Sequence, residues 1–253
     1  MGRRAHLQQL SHSLIKASRH TVKRSFNHAG TQALLRIFLA QRCPVCARTT
    51  STPFCTDCQR QIDSVCYPVK GWQLSATDSI AIGALGEYRG TLKQAILALK
   101  YKNCPEVARS LGAALAQRWQ AQAPMKQTNI YAVPIPLHPN RLAQRGYNQA
   151  ALIAEGFCRV SGLPVLSHGL VRAEDTLPQH QLGVEDRQSN LESAFTIGKA
   201  LQNVHRRAKT PPKILLIDDI YTTGTTAQSA AQTLATAGLQ VIGMLALARA
   251  MSN

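Results

Sequence analysis

Acidic residues are scarce in this chain: 13 Asp and Glu stand against 29 Lys and Arg in 253 residues, a formal charge of +16. None precedes Asp57, whereas nine Lys and Arg do; the remaining 197 residues carry 20 basic and 13 acidic groups. So uneven a charge favours a polyanionic partner: nucleic acid, a phosphate-rich ligand or an anionic membrane. For residues 1–30 a solvated basic tail without any partner is the plainer reading, and an Arg-rich, acid-free start also has the composition of an organelle transit peptide. Long apolar runs are missing too. Nothing approaches the ~18 residues that span a bilayer, and no apolar core follows the first basic residues as a secretory signal requires. We therefore expect no integral membrane segment and a cytoplasmic location. Aromatics are only 5% of residues, which argues against an extended stacking platform for single strands, although Tyr67, Trp72 and Tyr88 are available for a small one. No internal repeat is present.

What remains is ordinary globular material. Hydrophobic residues make up 45%, and the length suffices for one main domain with something smaller attached. The expected divisions are a basic extension at 1–30, a cysteine module at 31–68 and an α/β domain at 78–253. In that last part "IAIGALGEY" reads as a strand, and "GTLKQAILALKYK" and "VARSLGAALAQRWQAQ" as helices. "NIYAVPIPLHP" is a strand stopped by prolines, and "NQAALIAEGFCRVSG" a helix ending at Gly162. Residues 167–195 read as a long polar loop. "KILLID", "TTAQSAAQTLATAG" and "LQVIGMLALARA" complete an alternation of strands and helices, which implies a parallel sheet covered on both faces.

Four of the seven cysteines form two pairs, Cys43-x2-Cys46 and Cys55-x2-Cys58. Two such knuckles supply the tetrahedral four-thiolate shell of structural zinc. A redox dithiol is the competing reading. A complete thiolate shell leaves no open position for water, so the module speaks for folding rather than catalysis. Cys66, Cys104 and Cys158 are isolated.

The most informative stretch is "ILLIDDIYTTGTT" at 214–226. A buried strand delivers Asp218 and Asp219 to the crevice where open α/β sheets bind ligands. Behind them Thr222, Thr223, Gly224, Thr225 and Thr226 open a helix, whose free N–H groups and dipole favour a phosphate. Carboxylates repel that phosphate but accept hydrogen bonds from vicinal hydroxyls beside it. A sugar phosphate satisfies both. The alternative is a capped helix after a strand, with the acids merely solvated.

This stretch resembles the ribose-phosphate loop of type I phosphoribosyltransferases. With "CPVC…CTDC", "YRGTLKQAILALKYK", "PIPLHPNRLAQRGYNQ" and "TLPQHQLGVEDRQSNLESAF" in the same order, residues 31–250 resemble the ComF family of competence and DNA-uptake proteins. "LESAF" departs from the pattern, which has a glycine before Ala-Phe. The resemblance implies a phosphoribosyltransferase-like α/β fold with an N-terminal zinc module. It implies that Asp218 and Asp219 hold the ribose hydroxyls of phosphoribosyl pyrophosphate, that residues 222–226 wrap its 5′-phosphate, and that His138, Arg141 and Arg145 take the pyrophosphate, accompanied by Mg²⁺. It makes the loop carrying Thr176, Gln179, Gln181 and Arg187 a hood over the reacting centre. From the residues alone the two arginines read equally as a solvated helix face, the loop as a surface loop, and Tyr221 as a core residue. No residue is a convincing nucleophile, and displacement by an incoming amine or base needs none. Two functions follow: handling of single-stranded DNA together with uptake proteins by a phosphoribosyl pyrophosphate-binding protein, or phosphoribosyl transfer to an acceptor unrelated to DNA.

Overall fold

The computed structural model describes residues 41–70, 74–76, 80–122, 128–172 and 194–250. The basic extension, Trp72, and the expected hood residues Thr176, Gln179, Gln181 and Arg187 lie outside the described residues.

From Gln41 onward the chain is one compact unit. It opens with a two-stranded hairpin, β1 (Gln41–Arg42) and β2 (Thr49–Thr50), followed by α1 (Thr56–Val65). After the short β3 (Ser75–Ala76) come β4 (Ala81–Glu87), α2 (Gly90–Tyr101), α3 (Pro105–Gln122) and β5 (Ile130–Pro134). The segment read as proline-stopped continues into α4 (Pro139–Arg145), then α5 (Gln149–Ser161). A small antiparallel pair, β6 (Leu170–Arg172) with β7 (Phe195–Ile197), and α6 (Lys199–Arg207) occupy sequence expected to be loop or left unassigned. The chain ends with β8 (Lys213–Tyr221), α7 (Thr225–Thr236) and β9 (Gln240–Arg249).

The main sheet has the order β3-β4-β9-β8-β5. Four strands are parallel and β3 is an antiparallel edge. Both faces are covered, so central strands are apolar throughout: Ile214, Leu215, Leu216 and Ile217 are all fully buried. Each contributes about 1.5–3 kcal/mol of transfer free energy. Alternation sorts them. Leu215 and Ile217 pack with α2, α3 and α5 in one core. Ile214 and Leu216 pack with α7 and the β6–β7 pair in the other.

This sorting positions the site. Leaving β5, the chain turns to the face covered by α5, whose Ile153, Ala154 and Phe157 belong to the first core. Leaving β8, it turns to the opposite face, where Ala227, Ala230 and Leu234 of α7 belong to the second. Adjacent parallel strands whose connections part to opposite faces make a topological switch point, and a crevice opens between their C-terminal ends. Proline sharpens the split. Ile135 N–H still donates to Ile217 O at 2.9 Å, but Pro136 has no N–H to continue the ladder. On its other side β8 runs on past the acids, Tyr221 pairing with Arg249. The aspartates therefore stand where β5 departs, Asp218 three residues and Asp219 two residues short of the strand's own end.

The cysteine module shares the first core. Cys43, Phe54, Cys58 and Ile62 pack with Leu85 and Leu92, Thr91 Oγ1 donates to Gln61 Oε1 at 2.6 Å, and Cys66 bridges to Gly86. That last approach needs glycine, since a Cβ at Gly86 would lie 2.5 Å from Val65 O.

Candidate functional site

Strand alternation sends the two acids, expected to hold the ribose hydroxyls, to opposite faces of the sheet. Asp219 follows Leu215 and Ile217 into the first face and is 6% exposed. Its Oδ2 accepts from Gln149 Nε2 at 2.9 Å and lies 3.1 Å from Lys100 Nζ. Asp218 points to the face of α7 and β6. Its Oδ1 accepts from the Asp219 N–H at 2.8 Å. Burial, then the charge of Asp219, push its pKa up to about 8, against the pull of that N–H and of Lys100 and Arg172.

Arg172, absent from the sequence reading, ends β6 on this same side. Its guanidinium lies 5.5 Å over the Phe195 ring, and its buried Nε has no hydrogen-bond partner among the described residues. Burial and the neighbouring charge of Arg141 lower its pKa, while Asp218 raises it. An unsatisfied guanidinium nitrogen between a carboxyl and a second arginine suits an anion.

The threonine loop is built as its residue types demand. Gly224 has φ of 84°, a left-handed value natural to glycine, and is the N-cap of α7. Among the described residues no side chain caps this helix, so its first N–H groups are directed at the crevice. Thr222, Thr223, Thr225 and Thr226 are exposed around it, and Thr223 Oγ1 and Thr225 Oγ1 are 2.8 Å apart. Tyr221 packs into the second core, with Arg249 5.7 Å over its ring. A Cβ at position 224 would lie 2.6 Å from the Tyr221 hydroxyl.

On the other side of the acids, α4 faces the end of α2 across a cavity of about 450 Å³ lined by Lys100, Tyr101, Arg141, Gln144, Arg145 and Tyr147 among others. None of its lining residues is acidic. Arg145 Nη1 is buried without a hydrogen-bond partner among the described residues, and its guanidinium lies 5.8 Å over the Tyr101 ring. Lys100 joins this cavity to Asp219. His138 does not line the cavity: as N-cap of α4, its Nδ1 accepts from Asn140 N–H at 3.2 Å. The His-Pro pair starts the helix, with proline pre-set for the first turn. Gln149 was also missed; it is 6% exposed, and its Oε1 is another buried atom without a partner among the described residues.

The four paired cysteines converge, their Sγ atoms all lying within 4.8 Å of one another. Cys46 and Cys55 sulfurs are 3.5 Å apart, close to the ~3.8 Å that a tetrahedral zinc–thiolate shell implies. Burial raises the Cys43 thiol, but hydrogen bonds from the backbone of Cys55, Cys46 and Val45 outweigh it and hold the pKa at about 6. Burial and the other three sulfurs raise Cys58. Four sulfurs converging at this spacing offer the donor set and geometry of a tetrahedral thiolate shell, so the residues fit zinc.

The described residues thus define an α/β protein with a parallel four-strand sheet, flanked by helices, and a four-cysteine cluster consistent with a zinc module. No protein-family model matches the chain. It is 28% identical over 215 residues to Competence protein F of Haemophilus influenzae, covering 78% of this chain and 90% of that protein. It is 26% identical over 195 residues to Competence protein ComFC of Bacillus subtilis, covering 76% and 70%. It is 25% identical over 215 residues to DNA utilization protein YhgH of Escherichia coli, covering 83% and 90%. Among solved structures, adenine phosphoribosyltransferase of Leishmania tarentolae superposes with a TM-score of 0.34 at 15% identity over 70% of each chain, too low to bear on the fold. These similarities support the ComF family for this chain.

Proposed function

We propose that this protein binds phosphoribosyl pyrophosphate across the crevice between β5 and β8 and assists the handling of single-stranded DNA during competence, in concert with DNA-uptake proteins. One observation carries the reading. An uncapped helix start wrapped in threonines and an acid-free cationic cavity flank the same pair of carboxylates. The 5′-phosphate belongs at residues 222–226, where Gly224 admits the backbone closely. Asp218 and Asp219 flank the ribose from opposite faces of the sheet edge, Asp218 on the loop's side. The pyrophosphate belongs to Arg141 and Arg145, with Lys100 and Arg172 added by position and His138 holding the helix that carries the arginines. Guanidinium forks suit these oxygens because they donate two parallel bonds.

Magnesium, arriving with the diphosphate, would neutralise the leaving group's charge. In a transfer reaction the bond from ribose C1 to the diphosphate oxygen breaks, the diphosphate leaves with that electron pair, and an acceptor nitrogen supplies the new bond. The chain's own work is placement of phosphate, ribose and diphosphate. The relatives are named for competence and DNA utilization, and the charge of +16 suits a nucleic-acid partner.

Calorimetry with phosphoribosyl pyrophosphate and Mg²⁺ tests the pocket, and absence of binding rejects it. Incubation with labelled phosphoribosyl pyrophosphate, with and without single-stranded DNA or free bases, separates binding from turnover through release of diphosphate. DNA affinity should fall steeply with salt, and a flat response removes electrostatics as its basis.

A further inference from the structure

We infer that Tyr101 is the platform on which a single-stranded nucleic acid stacks one base, across the mouth of the cationic cavity. The inference rests on the DNA-handling reading above and gives it a contact point.

Tyr101 is the last residue of α2 and is 75% exposed. The other exposed large apolar side chains among the described residues are aliphatic and lie between 37% and 45%. An aromatic ring left in water to that degree, in a chain with few aromatics, is unusual in itself. Tyr67 and Tyr88, the expected stacking residues, are partly buried against the first core. The surroundings of Tyr101 select the partner. Arg145 lies 5.8 Å over the ring, Lys100 and Arg141 line the same cavity, and no lining residue is acidic. A phosphate ligand alone uses the cations and leaves the ring idle. An acidic peptide does the same. A single strand uses both, because its bases offer π-faces and its backbone offers phosphates. A duplex keeps its bases stacked inside and cannot engage the ring in this way.

The platform is also held rigid. The hydroxyl of Tyr147 donates to Leu99 O just before it. Directly after it Lys102 donates from its backbone to Ala98 O at 2.8 Å and from Nζ to Pro44 O at 3.1 Å. Pro44 lies between the paired cysteines Cys43 and Cys46, so the metal module braces the segment that presents the ring. A surface fixed before binding loses little freedom on binding.

The test uses the full-length, zinc-loaded protein and a fluorescein-labelled oligo(dT), with anisotropy as readout and circular dichroism to verify folding. Tyr101→Phe should bind as the unaltered protein does, and Tyr101→Ala about tenfold more weakly, the loss of one base–aromatic stack. A second oligonucleotide carrying 2-aminopurine should lose fluorescence on binding to the unaltered protein and to Tyr101→Phe, and not to Tyr101→Ala. Equal affinity and equal quenching for Tyr101→Ala and the unaltered protein overturn the inference while leaving the DNA-handling reading intact. If the unaltered protein binds neither oligonucleotide, the DNA-handling reading fails and takes this inference with it. Retained calorimetric binding of phosphoribosyl pyrophosphate in that case keeps the pocket assignment separate.

Discussion

Lys100 Nζ lies 3.1 Å from Asp219 Oδ2, with the two side chains 19% and 8% exposed, and the same lysine lines the cavity that contains Arg141 and Arg145. The pair thus ties the acid on one sheet face to the cationic pocket beside it. Removing one partner of a buried ion pair leaves an uncompensated charge and costs about 3–5 kcal/mol. Lys100→Met should lower the urea midpoint accordingly and weaken diphosphate binding. Adding Asp219→Asn removes the stranded charge and should recover much of the stability but not the affinity. An unchanged urea midpoint for Lys100→Met shows the pair to be energetically idle.

Asp218 should make stability fall as pH rises. Its pKa is pushed up to about 8, by burial first and by Asp219 next, against about 3.9 in an unfolded chain. Between those values the native state retains a proton that the unfolded state releases, so each step up in pH favours unfolding. Below about 4 both states are protonated and above 8 neither is, so the loss is confined to that window. Asp218→Asn should therefore melt higher than the unaltered protein at pH 8.5, with the difference shrinking toward pH 4.5. Its affinity for phosphoribosyl pyrophosphate should fall at both. Parallel melting curves across that range contradict the assignment of Asp218 as a raised carboxyl.

The buried strand in "ILLIDD" was legible in the sequence, yet its consequence for the two acids was not. Knowing that the strand is buried on both faces does not say which helix meets Asp219, and Lys100 and Gln149 come from 119 and 70 positions away along the chain. The alternation of elements, the cysteine module and the helix start at Gly224 rest on local rules, and the structure has them where those rules put them. His138, expected at the pyrophosphate, is the N-cap of α4, a role the sequence left open because histidine followed by proline serves a helix start as well as a ligand. Arg172 was hidden in a stretch whose lack of period read as loop; its pairing with Phe195 is a non-local contact that no window of sequence contains.

The zinc module should be a structural necessity of the pocket as well as of itself. With Cys43 and Cys58 buried and Lys102 Nζ bonded to Pro44 O, loss of the metal loosens both the first core and the segment ending in Tyr101. Metal analysis should find one zinc per chain. A strong chelator should lower the melting temperature and raise hydrogen exchange in residues 43–62 and 99–104 together. Cys58→Ser should reproduce both effects without a chelator. Chelation that disturbs the cysteines alone breaks the proposed link to the cavity.

Gly224 gives the sharpest separation of fold from binding. Its φ of 84° costs an alanine about 1 kcal/mol, and a Cβ there would press on Tyr221, with the hydroxyl at 2.6 Å. The tyrosine ring is partly exposed and can give way, so Gly224→Ala should remain folded with a loss of about 1–2 kcal/mol. The phosphate has no such freedom. Displacing the first turn of α7 by a few tenths of an ångström misaligns several N–H groups at once, and hydrogen bonds to a charged acceptor are worth about 1.5–3 kcal/mol each. Affinity for phosphoribosyl pyrophosphate should therefore drop at least about tenfold by calorimetry, beyond what the stability loss explains. Substitution of Thr226 by valine, which leaves the backbone alone, should weaken binding less. If Gly224→Ala binds as tightly as the unaltered protein, the 5′-phosphate does not sit at this helix start.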